Sequence, residues 1–208
     1  MYIPEHFRLR HDQEGIAFMR ANPFAILISS AESGPYATHL PLSVHQNQEE
    51  LALRGHVSKA NPHWTYLEQN PQCLAIFHGP HSYISPSNYT ARESVPTWNY
   101  AAVHVYGNAR MFSEEQDVHA MLNELIETFE PAYRAQWEEL SPKFRDNMLR
   151  QIVGFEITAT KIESKFKLSQ NRTRTDQANV IASLENSEDS TISGVARMMK
   201  EQHLGKKD

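Results

Sequence analysis

Four segments carry side chains whose types and spacing suit binding chemistry. The first is Arg54-Gly55-His56-Val57-Ser58-Lys59-Ala60-Asn61-Pro62, which leaves a strand-like run and enters a helix-like one. A guanidinium, an ammonium, a hydroxyl and the free N–H groups of a helix start suit an oxyanion such as a phosphate monoester. The same residues serve equally as a charged strand end with an ordinary Asn cap. The second is Tyr36-Ala37-Thr38-His39-Leu40-Pro41-Leu42. His39 among apolar neighbours reads as a satisfied core histidine, and Pro41 inside a strand implies an edge or a bulge, which frees backbone groups for a polar ring edge.

The third segment is Gly79-Pro80-His81-Ser82-Tyr83-Ile84-Ser85-Pro86-Ser87-Asn88-Tyr89, followed by Val95-Pro96-Thr97-Trp98-Asn99-Tyr100. Rings alternating with small hydroxyls and amides suit a flat heteroaromatic ligand, which needs a ring wall and a few polar contacts. Plain loop packing accounts for the pattern as well. The fourth, Lys165-Phe166-Lys167-Leu168-Ser169-Gln170-Asn171-Arg172, is a basic exit from a strand.

Other chemistries find little support. The chain has 11 histidines, with His78 and His81 at i, i+3 and His104 further on, but no compact Cys/His set has zinc-site spacing and no H-E-x-x-H is present. We expect no metal. No nucleophile elbow supports a Ser-His-Asp hydrolase, and no Gly-rich phosphate loop follows a strand, which argues against a dinucleotide-binding α/β fold. The one cysteine, Cys73, excludes an internal disulfide and fits a reducing compartment; in the apolar run Cys73-Leu74-Ala75-Ile76-Phe77 it reads as a buried thiol. Neither a signal peptide nor a membrane helix is apparent, so a cytoplasmic protein with no membrane contact is expected. A net charge of -5 speaks against a large DNA-facing surface, and with no helix-turn-helix in view direct DNA binding is doubtful.

The elements that must position these segments follow from periodicity. Strands are expected over Phe24–Ser29, Tyr36–Val44, Glu50–Val57, Cys73–Phe77, Trp98–Phe112 and Ile152–Phe166, the first two joined by a turn at Ser33-Gly34-Pro35, with Gly107 marking a bulge or bend. Helices are expected over His11–Ala21, from Asn61-Pro62, from a Ser113-Glu114-Glu115 cap to Phe129, and across Pro131–Arg150. His78–Glu93 reads as a long loop. Gln177–Leu184 and Ser190–Gln202 read as two amphipathic helices in a tail. Strands in hairpin spacing with helices between them indicate an α+β barrel with peripheral helices, over residues 1–170, and a C-terminal helical extension, residues 171–208, packed on the same domain.

Six of these segments in this order resemble the PaiB-like FMN-binding negative transcriptional regulators: Met1-Tyr2-Ile3-Pro4-Glu5-His6-Phe7, His39-Leu40-Pro41-Leu42, Gly55 through Pro62, Tyr83-Ile84-Ser85-Pro86, Val95 through Tyr100, and Lys167 through Arg172. The resemblance implies a split β-barrel related to pyridoxamine-phosphate oxidases, and a homodimer with FMN in a cleft between subunits. Carried over, Arg54, His56, Ser58 and Lys59 face the phosphate; Thr38, His39 and Leu40 line the flavin edge; Tyr83 belongs to the ring wall. Thr97, Trp98 and Asn99 come from the long strand, in this subunit or its partner, and Gln170 and Arg172 close the site. Two other functions stay open. One is a flavin-dependent oxidoreductase using NAD(P)H or another small molecule, with His39, His81 or Tyr83 as acid or base. The other is a haem-binding or haem-degrading protein on the same barrel.

Overall fold

Buried Ala25, Leu27 and Ser29 alternate with exposed Phe24 and Ser30, the period-two signature of a strand with one face on a core. In the computed structural model, which describes residues 1–9, 12–47, 50–112 and 114–204, this run is β1 (Phe24–Ala31). A two-residue connection, Glu32-Ser33, turns it into β2 (Gly34–Pro41), with antiparallel register Leu27↔Thr38 and Ile26↔His39. Gly34 has φ 118°, which an L side chain rarely adopts.

The single strand expected from Tyr36 to Val44 is corrected. β2 stops at Pro41 and the chain resumes as β3 (Ser43–Gln46), paired with β4 (Leu51–Ser58). Proline cannot donate to a ladder, and the next N–H, that of Leu42, goes to the Pro23 carbonyl at 2.9 Å. With β5 (Gln72–Ile84), β6 (Thr97–Met111) and β7 (Ile152–Lys167), the sheet order is β2-β1-β5-β6-β7-β4-β3. β2 therefore stands at one end of the order, and Pro41 reflects an edge strand.

The helices are α1 (Asp12–Ala21), α2 (His63–Gln69), α3 (Glu115–Phe129), α4 (Tyr133–Glu139), α5 (Pro142–Leu149), α6 (Arg174–Leu184) and α7 (Ser190–Leu204). The helical stretch expected across Pro131–Arg150 is two helices. Ser141 accepts the Phe144 N–H on its Oγ at 3.3 Å and Pro142 takes the first helical position, a start signal that ends α4. The loop expected over His78–Glu93 is also corrected: β5 continues to Ile84. Ser82 and Ile84 turn inward while His81 and Tyr83 face out, and this alternation outweighs a Gly/Pro-rich composition. His11 and Ser113, expected at helix starts, lie outside the described residues. β6 runs through Gly107, and a Cβ there would lie 2.4 Å from the Thr158 carbonyl oxygen.

The chain divides into two compact units, with boundaries inside α1, β5, β6 and β7. One comprises Met19–Phe77 and His104–Ile162; its buried residues include Leu27, Leu42, Leu53, Leu67, Phe77, Val105, Met121, Phe155 and Ile157. The other comprises Met1–Phe18, His78–Val103 and Glu163–Asp208, with Phe7, Ile16, Ile84, Val103, Phe166, Leu168, Val180, Val195 and Met199 buried. Within it the Phe18 and Phe166 rings meet edge to face at 5.0 Å. Among the described residues no helix is long and apolar enough to cross a membrane.

Candidate functional site

In the unit built from Met19–Phe77 and His104–Ile162, β4 sets the stage. Leu51, Leu53, Gly55 and Val57 face its core, so Ala52, Arg54, His56 and Ser58 share the opposite face. Arg54 is not a free cation. Its Nε donates to Glu156 Oε2 at 2.7 Å and one terminal nitrogen donates to both oxygens of Glu124 at 2.8 and 2.9 Å. Burial pulls its pKa down, but the bonds to Glu156 and Glu124 outweigh that and hold it above its ordinary value. His45 Nε2 also lies 3.5 Å from Glu124, and Arg110 lies 3.6 Å from Glu156. The network ties β4 to β7 and α3. His56 is half-buried, its Nδ1 has no partner among the described residues, and burial lowers its pKa, so it is neutral near pH 7.

Ser58 and Lys59, at the end of β4, have exposed side chains. The backbone beyond them is firmly placed. The Lys59 N–H donates to the Gln151 carbonyl at 2.7 Å, its own carbonyl accepts Trp64 Nε1 at 3.1 Å, and Ser58 Oγ accepts the Ala60 N–H at 3.3 Å. α2 follows, but at seven residues it is too short to offer a helix-dipole site, so the anion chemistry here rests on side chains.

Thr38 sits in a polar cluster that the sequence motif did not reveal. Its hydroxyl accepts Asn61 Nδ2 at 3.2 Å and lies 2.8 Å from His63 Nδ1. Asn61 Oδ1 accepts the Tyr36 hydroxyl at 3.3 Å and the His63 N–H at 3.0 Å. The Tyr36 ring packs edge-on against His63 and Tyr66 at 5.0 and 5.2 Å. His63 is 0% exposed; its Nε2 has no partner among the described residues, and burial pushes its pKa down to about 4. His39, expected in the core, is instead exposed, its ring 6.2 Å from that of Phe24. Leu40 is buried, so only its backbone is available to a ligand.

In the other unit, Tyr83 and Trp98 form a half-open aromatic face. They are 51% and 52% exposed, with ring centroids 6.3 Å apart and T-shaped, and His81 lies 5.6 Å from Trp98. Thr97 and Asn99 point to the opposite side of β6. Thr97 Oγ1 accepts Lys167 Nζ. Asn99 is 0% exposed; its Nδ2 donates to Ser169 Oγ at 2.9 Å. Ser169 holds φ 63°, a left-handed conformation for a residue with a Cβ. Gln170 brackets this turn: its Oε1 accepts the Leu168 N–H at 2.7 Å and its Nε2 donates to the Phe166 carbonyl. The Arg172 guanidinium stacks 3.9 Å over the Tyr89 ring.

Thr38, Asn61 and His63 are thus brought together, as are Arg54 with Glu124 and Glu156, Thr97 with Lys167, and Asn99 with Ser169. Neither Asn61 as a partner of Thr38, nor His63, Glu124 or Glu156, was singled out in the sequence. Only the Asn61-Pro62-His63 spacing could have hinted at the first two; the carboxylates lie 70 and 102 residues from Arg54. Glu115 and His119 of α3 and Asp146 of α5 bring ligand-type atoms within 4.8 Å of one another, a partly exposed polar cluster to which we assign no ion.

Comparison with known proteins adds the following. Residues 1–161 match the family model described as "Putative FMN-binding domain". The chain is 39% identical over 204 residues to the Protease synthase and sporulation protein PAI 2 of Bacillus subtilis (strain 168), covering 97% of each. Among solved structures it is similar to the flavocytochrome Anf3 from Azotobacter vinelandii (TM-score 0.56, 20% identity, 81% of this chain and 74% of that one). It is also similar to the FAD and Heme binding protein from Mycobacterium smegmatis (TM-score 0.57, 13% identity, 77% and 73%). At such identities the likeness is one of fold: the split barrel implied by the sequence motifs is the fold of this chain.

Proposed function

We propose, for a chain that belongs to the FMN-binding domain family and takes FMN as its cofactor, that it works as a homodimer in which FMN contacts both copies and the flavin-bound state serves negative regulation of transcription. The residues present fit the cofactor's chemistry: a phosphate dianion calls for a cation and hydroxyls, and an isoalloxazine ring calls for a partly apolar wall and a polar edge. Bound FMN supplies a reversible acceptor of a hydride or electrons. In this reading Ser58 and Lys59 bind the phosphate. Arg54, held by Glu124 and Glu156, and neutral His56 position the strand that presents them. Thr38, His39 and the backbone of Leu40 line the ring edge. Tyr83 and Trp98 of the partner copy supply the ring wall, and Thr97, Asn99, Gln170 and Arg172 support it from the other face of β6 and the neighbouring turn.

The observation that carries the reading is the end of β4, where an exposed hydroxyl and an exposed ammonium follow a fixed backbone. Two copies meeting over the half-exposed Tyr83–Trp98 face would remove apolar area from water, as dimer interfaces do. The net charge of -5 supports regulation through a partner protein or through the flavin state rather than through a DNA grip.

The test is an FMN titration followed by absorption, with native mass. Wild type should bind FMN as a dimer, and Ser58→Ala with Lys59→Ala should weaken binding by about tenfold or more, the loss of a charge-assisted contact. A monomer that ignores FMN would overturn the reading. A gel shift with a steep salt slope would replace indirect regulation by direct DNA contact. A second reading, a flavin-dependent oxidoreductase, draws on His81, a titratable group against the Trp98 ring; catalytic NADH consumption by the FMN-loaded dimer, lost in His81→Ala, would favour it.

A further inference from the structure

Lys165 and Lys167 stand two residues apart on β7, on one side of the strand. Lys165 is 9% exposed. Its Nζ donates to the Tyr2 carbonyl at 3.1 Å and lies 5.7 and 5.3 Å from the Tyr2 and Tyr100 ring centroids. Lys167 Nζ donates to Thr97 Oγ1 and lies 6.0 Å from the Phe7 ring. Among the described residues no carboxylate pairs with either ammonium; Glu163, on the same side of the strand, binds the Met1 amine.

A lysine is almost never buried without an acid beside it, as Lys165 is, and the half-buried Lys167 adds a like charge that repels it. Burial, and then the charge of Lys165, lower the Lys167 pKa. Ring faces and a carbonyl offset part of this, but none of them carries a full negative charge. The adjoining stretch of β6 also has polar capacity to spare. Asn99, two residues from Thr97 on the same face, is fully buried, and its Oδ1 has no partner among the described residues.

We propose that Lys165, Lys167 and the Thr97 hydroxyl, walled by Tyr2, Phe7 and Tyr100, form a binding site for a doubly charged oxyanion, the phosphate group of a small molecule other than FMN. This oxyanion site is additional to the one proposed at Ser58 and Lys59. Two ammoniums and a hydroxyl match a dianion's charge and lone pairs, and the three rings leave an apolar margin for the rest of the ligand. The site would make a phosphorylated metabolite a second ligand of the protein, as substrate or effector.

The probe is inorganic phosphate, titrated calorimetrically into the FMN-saturated full chain in chloride buffer. One phosphate per chain is expected to bind. Lys165→Met with Lys167→Met should weaken it at least tenfold without changing FMN affinity, and Thr97→Val should weaken it severalfold. If the double variant does not fold, Lys167→Gln and Thr97→Val decide by the same readout. Benzoate is run in parallel; tighter benzoate than phosphate overturns the dianion assignment. Phosphate binding that survives the lysine changes overturns the site. So does binding seen only without FMN and lost together with FMN affinity in the double variant, because the lysines would then hold the FMN phosphate. If wild type takes up no FMN, the FMN reading fails on its own; phosphate binding by the free chain, lost on the lysine changes, would still establish this site.

Discussion

His63 gives the protein a definite acid sensitivity. Its ring is fully buried, its Nδ1 faces the Thr38 hydroxyl at 2.8 Å, and burial pushes its pKa down to about 4 from the ordinary 6.5. The Thr38 hydroxyl, which accepts from Asn61, is the ring's one hydrogen-bond partner among the described residues. Protonation would add a buried charge. The folded-state pKa lies below the unfolded one, so the unfolded chain takes up the proton first. The stability tied to His63 is complete above about pH 6.5 and falls as the pH drops toward 4. Linkage between those two pKa values gives a loss of about 1.4 kcal/mol at pH 5.5 and about 2.5 kcal/mol at pH 4.5. His56 and His45 also have lowered pKa values and add to the acid slope, so the measurement must be differential. Urea unfolding of the FMN-free protein at pH 7.5 and 4.5 is compared between wild type and His63→Asn, which keeps an acceptor toward Thr38 but does not titrate. The variant should lose about 2.5 kcal/mol less than wild type over that interval, whatever its stability at pH 7.5. Equal losses in the two proteins, or a His63 ring resonance that titrates near pH 6.5, would refute the argument.

Other perturbations follow from single contacts. Gly107→Ala places a Cβ 2.4 Å from the Thr158 carbonyl oxygen, a backbone atom that cannot rotate away, and should cost about 2 kcal/mol by thermal or urea unfolding. The Cys73 thiol is buried, with its pKa pushed up to about 12, and should ignore a disulfide reagent at pH 8 until urea unfolds the chain. Arg54→Met strands Glu124 and Glu156 without their shared cation; the network is partly exposed, so the cost should be about 1 kcal/mol, with FMN affinity affected less than by Lys59→Ala.

What could be read from the sequence followed the range of its causes. The apolar run Phe24-Ala25-Ile26-Leu27-Ile28 after Pro23 and the helical spacing of Met121 and Leu125 are local, and they placed β1 and α3. Proline at 41 and at 142 acts locally too, but its effect on the neighbouring elements was underweighted, which merged β2 with β3 and α4 with α5. The outer half of β5 was hidden because Gly79, Pro80 and Ser82 look like loop composition, whereas burial of Ser82 and Ile84 depends on tertiary neighbours. At the candidate site the motif at Arg54–Pro62 pointed to Ser58 and Lys59 at the strand end. It gave no sign that Arg54 is claimed by carboxylates far along the chain, or that Thr38 and His63, 25 residues apart, share a proton. Such pairings become visible only once the strands are in register.

Ser169 shows how two positions become bound to a common fate. Its left-handed backbone favours glycine or asparagine, yet neither would offer Asn99 the hydroxyl it now reaches. A change at 169 alone relaxes the turn but orphans a buried amide, and a change at 99 alone leaves a strained serine with no reason to stay. Drift at this corner should therefore proceed by paired replacement, so that residues 99 and 169 covary among relatives even where the flanking turn diverges.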